Sequence, residues 1–281
     1  MKKLRGIGLL IITLTYIAAA GTGIGVFWAA NALPLWLAVL LADVAATLIV
    51  YAVSLIVGNA TVYDAYWSVQ PMVIVPLLIA FTGTLTLGSI FLLVLVELWG
   101  LRLTVNWIYT FKNLSVQDWR YDNIKKATGT AFPLASLMGI QMMPTLVVFA
   151  CQVPIIAFLE GGGDMSAWAI TGIVITICGI LLELVSDLQK HSFRARGGKG
   201  VVNVGLWKTG RHPNYLGEIS LWWGIYVFVV LSNPALWWTF FGAFANTILF
   251  IFASIPMAEK QSALRHEAAW DEYKERTRLF I

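Results

Sequence analysis

Residues 34–57 read PLWLAVLLADVAATLIVYAVSLIV, and this stretch decides the class of the protein. It carries a single charged side chain, Asp43, and shows no steady apolar–polar alternation. A helix of this length, at ~1.5 Å per residue, reaches about 36 Å and crosses a hydrocarbon core of roughly 30 Å. Lipid offers the backbone no hydrogen-bond partners, so such runs mean helices, and the period-2 pattern of a membrane β-barrel is missing.

Similar segments lie outward from it at about 6–30, 65–82, 85–111, 131–159, 166–189, 214–231 and 235–257. Hydrophobic residues make up 59% and charged ones 12%, with mean hydropathy +0.77, which excludes an ordinary soluble domain. Pro71 and Pro76 sit inside the third segment, and only Thr82-Gly83-Thr84 separates it from the fourth. A kinked or re-entrant piece there replaces one crossing, so the expected fold is an all-α polytopic bundle of seven to eight spans. The first apolar run follows Met1-Lys2-Lys3-Leu4-Arg5 without a small-residue cleavage site and reads as a retained span.

The net charge is +4, and Lys and Arg gather at residues 2–5, 112–126, 190–211 and 260–278, each beside a hydrophobic run. With eight crossings and the N-terminus inside, every basic residue except Arg102 falls on the cytoplasmic side. The expectation is a multi-pass protein of the cytoplasmic (inner) membrane, N-in and C-in, whose basicity reports topology and not a nucleic-acid partner. Cys151 and Cys178 lie in apolar stretches and read as small buried hydrophobes, with no disulfide framework or metal site. Gly21-Thr22-Gly23-Ile24-Gly25 has no preceding strand and suits close helix contact better than a nucleotide. Trp28, Trp36, Trp99, Trp107, Trp168, Trp237 and Trp238 lie near span ends, where indoles anchor at the interface.

Ionisable residues inside spans are costly and invite functional hypotheses. Asp43 stands alone, Glu97 shares a span with Arg102, Glu183 with Asp187, and Glu218 and Glu259 sit near the inner ends of the last two. Glu183, Asp187, His191 and Arg194 fall along one helical face able to bind something polar. Residues 205–218, GLWKTGRHPNYLGE, run straight into an apolar helix with Pro213 suited to its first turn. The free N–H groups and positive end of that helix, with Arg211 and His212, make an anion site, and Asn214 and Glu218 face the same way.

This segment closely resembles the signature of the steroid 5α-reductase superfamily, specifically its bacterial branch, and of the wider RHPxY-type group that includes sterol reductases. Asp64-Ala65-Tyr66-Trp67-Ser68, Leu98-Trp99-Gly100-Leu101-Arg102-Leu103, Asp118-Trp119-Arg120-Tyr121, the face from Glu183 to Arg194, and Trp270-Asp271-Glu272-Tyr273-Lys274 resemble that branch in the same order. The likeness covers about residues 60–281. It divides the chain into an N-terminal hairpin, 1–60, and a catalytic membrane domain, 61–281.

The resemblance implies NADPH-dependent reduction of a conjugated C=C bond in a steroid-like or other lipid enone. The nicotinamide enters from the cytoplasmic side and the apolar substrate from the bilayer. Asp187, Arg194 and Asn214 match the family's polar cofactor contacts, while Glu183 stands where reductases often have Asn. Arg120, Arg194, Arg211 and His212 are then the phosphate candidates, Asp187 and Glu183 the ribose candidates, and Asn214 or Glu218 the carboxamide partner. Tyr215, Glu259 and Tyr273 complete the cofactor set, and Glu97, Trp99, Arg102 and Asn106 form the substrate set. Enone reduction needs a proton donor at the carbonyl, and Trp99 replaces the tyrosine that supplies it in the steroid enzymes. Tyr66 with Asp64, or Tyr109 on the face of Arg102 and Asn106, is the substitute.

Two other readings stay open. Isoprenylcysteine and phospholipid methyltransferases share an RHPxY-like segment and an acidic C-terminal helix, which makes S-adenosylmethionine the alternative cofactor. A non-enzymatic lipid-binding or transport protein would use Asp43, Glu97 and Arg102 along its path. The tail from Glu259 to Arg278 is expected to fold back over the inner mouth, either as an interfacial helix or as a lid on the cofactor.

Overall fold

The computed structural model describes residues 2–281. Its helices are α1 (Lys2–Ala29), α2 (Leu35–Val57), α3 (Tyr66–Thr82), α4 (Leu87–Thr110), α5 (Trp119–Thr128), α6 (Phe132–Ala135), α7 (Met143–Glu160), α8 (Ile170–Ala195), α9 (Pro213–Ser232), α10 (Phe241–Leu249), α11 (Ile255–His266) and α12 (Ala268–Arg276). Among the described residues there is no strand, and eight helical stretches are long and apolar enough to cross a membrane. The count is eight because α3 runs on through Pro71 and Pro76 and stops only at Gly83, whose φ of 66° is the left-handed turn that glycine permits. After the three-residue turn, Thr86 and Ser89 cap α4 reciprocally.

Two helices are longer than the hydropathy suggests. The fifth span extends over Trp119–Glu160, with α5 and α6 joined by a 3₁₀ turn at Gly129–Ala131 and α6 and α7 by a π-helical segment at Ser136–Met142. The eighth extends over Pro234–His266, so Glu259 lies on the same helical stretch as the last crossing. That stretch ends at Glu267, the one non-glycine residue with positive φ (44°) among those described.

The chain divides into two compact units, Met1–Gly163 and Asp164–Ile281. In the first, α1 packs along α2, with Gly23 facing the Ala42 carbonyl: a Cβ there would lie 3.3 Å from that oxygen, whereas Gly21 and Gly25 face nothing within 4 Å. Helices α3 and α4 approach where Gly100 meets Met72 and the Ser68 carbonyl, beside a fully buried Trp99 that meets Trp67 edge-on at 5.8 Å. Trp99 is therefore core and not an interfacial anchor. Trp28, Trp36, Trp168, Trp237 and Trp238 are all about half exposed or more.

In the second unit, α8 and α9 lie antiparallel in a contact built on small residues. Gly172 faces Phe228, Thr176 faces Gly224, Gly179 faces Leu221 and Glu183 faces Gly217. A Cβ on Gly217 would lie 2.6 Å from Glu183 Cγ, and one on Gly179 would lie 2.7 Å from the Gly217 carbonyl. Lipid gives helices no hydrophobic reason to associate, so this backbone proximity and its dispersion contacts hold the pair.

Candidate functional site

In the second unit the 205–218 segment is fixed before it enters α9. A 3₁₀ turn at Gly205–Lys208 buries Trp207, whose Nε1 donates to the Ser186 carbonyl at 2.9 Å, while the Leu206 N–H donates to Gln189 at 2.8 Å. The turn is thereby tied to α8. Gly210 then forms a parallel bridge with Arg278, the Arg211 N–H donates to the Arg278 carbonyl at 2.9 Å, and the His212 N–H donates to the Leu279 carbonyl at 3.2 Å. The C-terminal residues thus supply backbone acceptors to the residues just before Pro213, the first of α9.

Side chains reinforce this join. Arg211, only 10% exposed, donates from Nε to Glu259 Oε1 at 2.8 Å and from Nη1 to the Thr277 carbonyl. His212 Nε2 reaches the same carboxylate oxygen at 3.3 Å, and Lys274 Nζ lies 3.5 Å from its other oxygen. Burial above all pulls the His212 imidazole below its ordinary pKa; Glu259 opposes that pull, while Arg211 and Lys190 add to it. His212 is therefore neutral near pH 7, and its contact with Glu259 is a hydrogen bond from a neutral ring rather than an ion pair. The ring stacks on Tyr215 at 5.3 Å, and Tyr215 rests on Phe250 at 4.9 Å. Tyr273 donates to the Trp207 carbonyl at 2.6 Å, and burial raises its phenol to about 12, against a lowering from Arg211, so it stays a donor.

Five of the sequence-selected residues, Arg211, His212, Tyr215, Glu259 and Tyr273, therefore form one interlocked cluster. Glu218, on the next turn of α9, accepts from Trp222 Nε1 at 2.8 Å and is buried, as is Glu183 on α8. The α8–α9 register, continued one turn beyond the Glu183–Gly217 contact, sets Asp187 level with Pro213 and Asn214. Arg194 lies farther along α8, is exposed, and donates to the Gly198 and Gly200 carbonyls at 3.1 and 2.9 Å, shaping the glycine-rich loop.

The remaining candidates belong to the first unit. Asn59 caps the 3₁₀ turn Ala60–Tyr63 and donates to the Leu114 and Val116 carbonyls at 2.8 and 3.2 Å. Gln117 accepts from the Ala60 N–H and Thr61 Oγ1 accepts from the Asp118 N–H, so the loop after α4 folds against the 3₁₀ turn that precedes α3. Between them is a cavity of about 450 Å³ whose walls include Asp64, Trp67, Asn106, Trp107, Lys112 and Arg120. Asp64 accepts from the Tyr121 hydroxyl at 2.6 Å, and Arg120 is held by Asp118 at 2.9 and 3.1 Å.

The sequence pairs Tyr66 with Asp64, but the two line different cavities: Tyr66 faces a groove among α1, α2 and α3. The phenol beside Asp64 is Tyr121, which sits in the quoted Asp118–Tyr121 stretch yet carries no local signal of that contact. Tyr109 is 69% exposed on the outer face of α4 and lines neither cavity. Glu97 and Arg102 are partly buried on α4 outside the large cavity, whereas Asn106 lines it. Asp43, which stands alone among the ionisable residues of its span, is hydrogen-bonded by Gln70 Nε2.

An uncharacterized protein of Schizosaccharomyces pombe, C594.04c, is similar to this chain, with 22% identity over 246 residues, 78% of this chain and 71% of the yeast protein. No solved structure matches. Residues 50–277, most of the length and all of the catalytic, cofactor and substrate candidates of the reductase reading, match the family described as "Protein of unknown function (DUF1295)", and the chain belongs to that family.

Proposed function

We propose that this protein is an NADPH-dependent reductase of a conjugated C=C bond in a steroid-like or other lipid enone, acting in the cytoplasmic membrane with both termini inside. The observation that carries the reading is the α8–α9 register. Acids from one helix and the Arg-His-Pro-Asn-Tyr turn of the next converge at one end of a glycine-packed pair, although they are far apart in sequence. Such a set suits a dinucleotide: Asp187 and Glu183 supply acceptors for ribose hydroxyls, Arg194 a cation for phosphate, and Asn214 an amide for the carboxamide. The cofactor, when bound, supplies a hydride. Arg211, His212 and Glu259 serve this reading by fixing the start of α9, since their side chains already hold one another and the tail.

In the first unit, Asp64 with Tyr121 is a better-formed acid–phenol pair than Asp64 with Tyr66, and it lies at the 450 Å³ cavity. A phenol held against a carboxyl group can pass a proton to a developing enolate oxygen. The test is binding of NADPH and S-adenosylmethionine to the purified protein, followed by thermal shift and calorimetry. Stabilisation by NADPH, weakened roughly ten-fold or more by Asn214→Ala and by Arg194→Ala, is expected for loss of hydrogen bonds to a charged ligand. A response to S-adenosylmethionine alone would replace reduction by methyl transfer.

A further inference from the structure

The family match begins at residue 50, so α1 and most of α2 precede it. These helices and α3 enclose a narrow groove of about 50 Å³ whose walls include Ala20, Gly23, Phe27, Val39, Val73 and Leu78. Asp43 and Gln70 also line it, and each is only 3% exposed. Gln70 Nε2 donates to Asp43 Oδ2, which leaves Asp43 Oδ1 and Gln70 Oε1 buried with no hydrogen-bond partner. We infer that this groove is a binding site for a lipid alcohol, a single apolar chain whose terminal hydroxyl is held by Asp43 and Gln70.

Two buried oxygens without partners, at a groove otherwise lined by aliphatic side chains and the rings of Phe27, Tyr16 and Tyr66, call for a hydrogen-bond donor on an apolar body. A hydroxyl donates to Gln70 Oε1 or to an ionised Asp43, and where Asp43 is protonated it donates to Gln70 Oε1 while accepting from the carboxyl. A ketone or ether brings only an acceptor and leaves Gln70 Oε1 unmet in either state of Asp43. A carboxylate meets Asp43 with like charge, and an ammonium brings its own charge into apolar walls. A volume of about 50 Å³ suits a single chain better than fused rings. The site lies in the first unit, draws Asp43 from outside the family match, and does not depend on the reductase reading.

The experiment measures binding of tritiated 1-hexadecanol to the full-length protein in a maltoside detergent, with hexadecyl methyl ether, palmitic acid and hexadecylamine as competitors. The alcohol is expected to bind at least about ten-fold more tightly than the ether, because a site that hydrogen-bonds a hydroxyl rejects the analogue lacking it. Asp43→Leu and Gln70→Leu should each remove that discrimination, and Ala20→Phe should block the groove. Equal binding of alcohol and ether, as expected if trapped water already serves the two oxygens, overturns the inference. Tighter binding of the acid or amine, or no saturable alcohol binding, does so as well. If the variants fail to fold, the comparison among ligands on the unaltered protein still decides. NADPH affinity on the same samples separates the two readings, since either can fail while the other stands.

Discussion

Arg211 shows how a residue chosen for charge can turn out to act through structure. In sequence it is a cation at a helix start and suits a phosphate; in the fold it is nearly buried, bonded to Glu259 and to the Thr277 carbonyl. Glu259→Gln should leave that guanidinium without its charged partner and lower stability by about 2 kcal/mol, read from urea or thermal melts in detergent. His212 gives a pH-dependent counterpart. Its imidazole titrates below the ordinary value in the folded protein, so as pH falls through about 6.5 the unfolded chain takes up the proton first. Stability should therefore decline from about pH 6.5 down to the lowered value, and His212→Gln should flatten that slope. Melting profiles that fall equally steeply in both proteins would contradict the assignment. None of these partners was legible locally, because Arg211 and Glu259 are separated by 48 residues. Asp64 repeats the lesson, its hydroxyl partner being 57 positions away and not the nearby Tyr66.

Among the elements, the spans were the most legible, since an unbroken apolar run has one solution in lipid. Their packing was less so. The glycines at 21–25 drew notice for close contact, and only Gly23 makes one; the closer approach lies between α8 and α9, where Gly172, Gly179, Gly217 and Gly224 are spread through the chain. Spacing reveals such a stripe only once the partner helix and its register are known. Gly217→Val should force Glu183 and the α8 backbone away, destabilising the unit by on the order of 1–3 kcal/mol. It should also weaken NADPH binding, because the same register aligns Asp187 with Asn214. Val at Gly21, which faces nothing within 4 Å, is the control and should leave the melting temperature nearly unchanged. The continuity of α3 through two prolines was the point hydropathy left open. It is decided by where the chain turns, at Gly83 and the Thr86 cap.

For the whole molecule, eight helical stretches long enough to cross have a consequence that seven do not: if each crosses once, both termini fall on one side, as the proposed topology requires. The positive-inside rule makes that side the cytoplasm in the orientation we propose. Single cysteines introduced at Gly162 and Gly197, in a background lacking Cys151 and Cys178, should show opposite reactivity to a membrane-impermeant maleimide added to intact cells. Residue 162 should be labelled and residue 197 protected. Labelling of both, or the reverse pattern, would contradict the orientation.

The bond between residues 210–212 and residues 278–279 also sets an order of events during synthesis. The Arg-His-Pro-Asn-Tyr turn is translated and inserted well before its backbone acceptors exist, so it waits, with exposed donors, until the ribosome has released residue 279. A stalled or nonsense-truncated chain ending before residue 277 should therefore leave a membrane-inserted first unit beside an unfinished second one, a form that quality-control proteases can recognise.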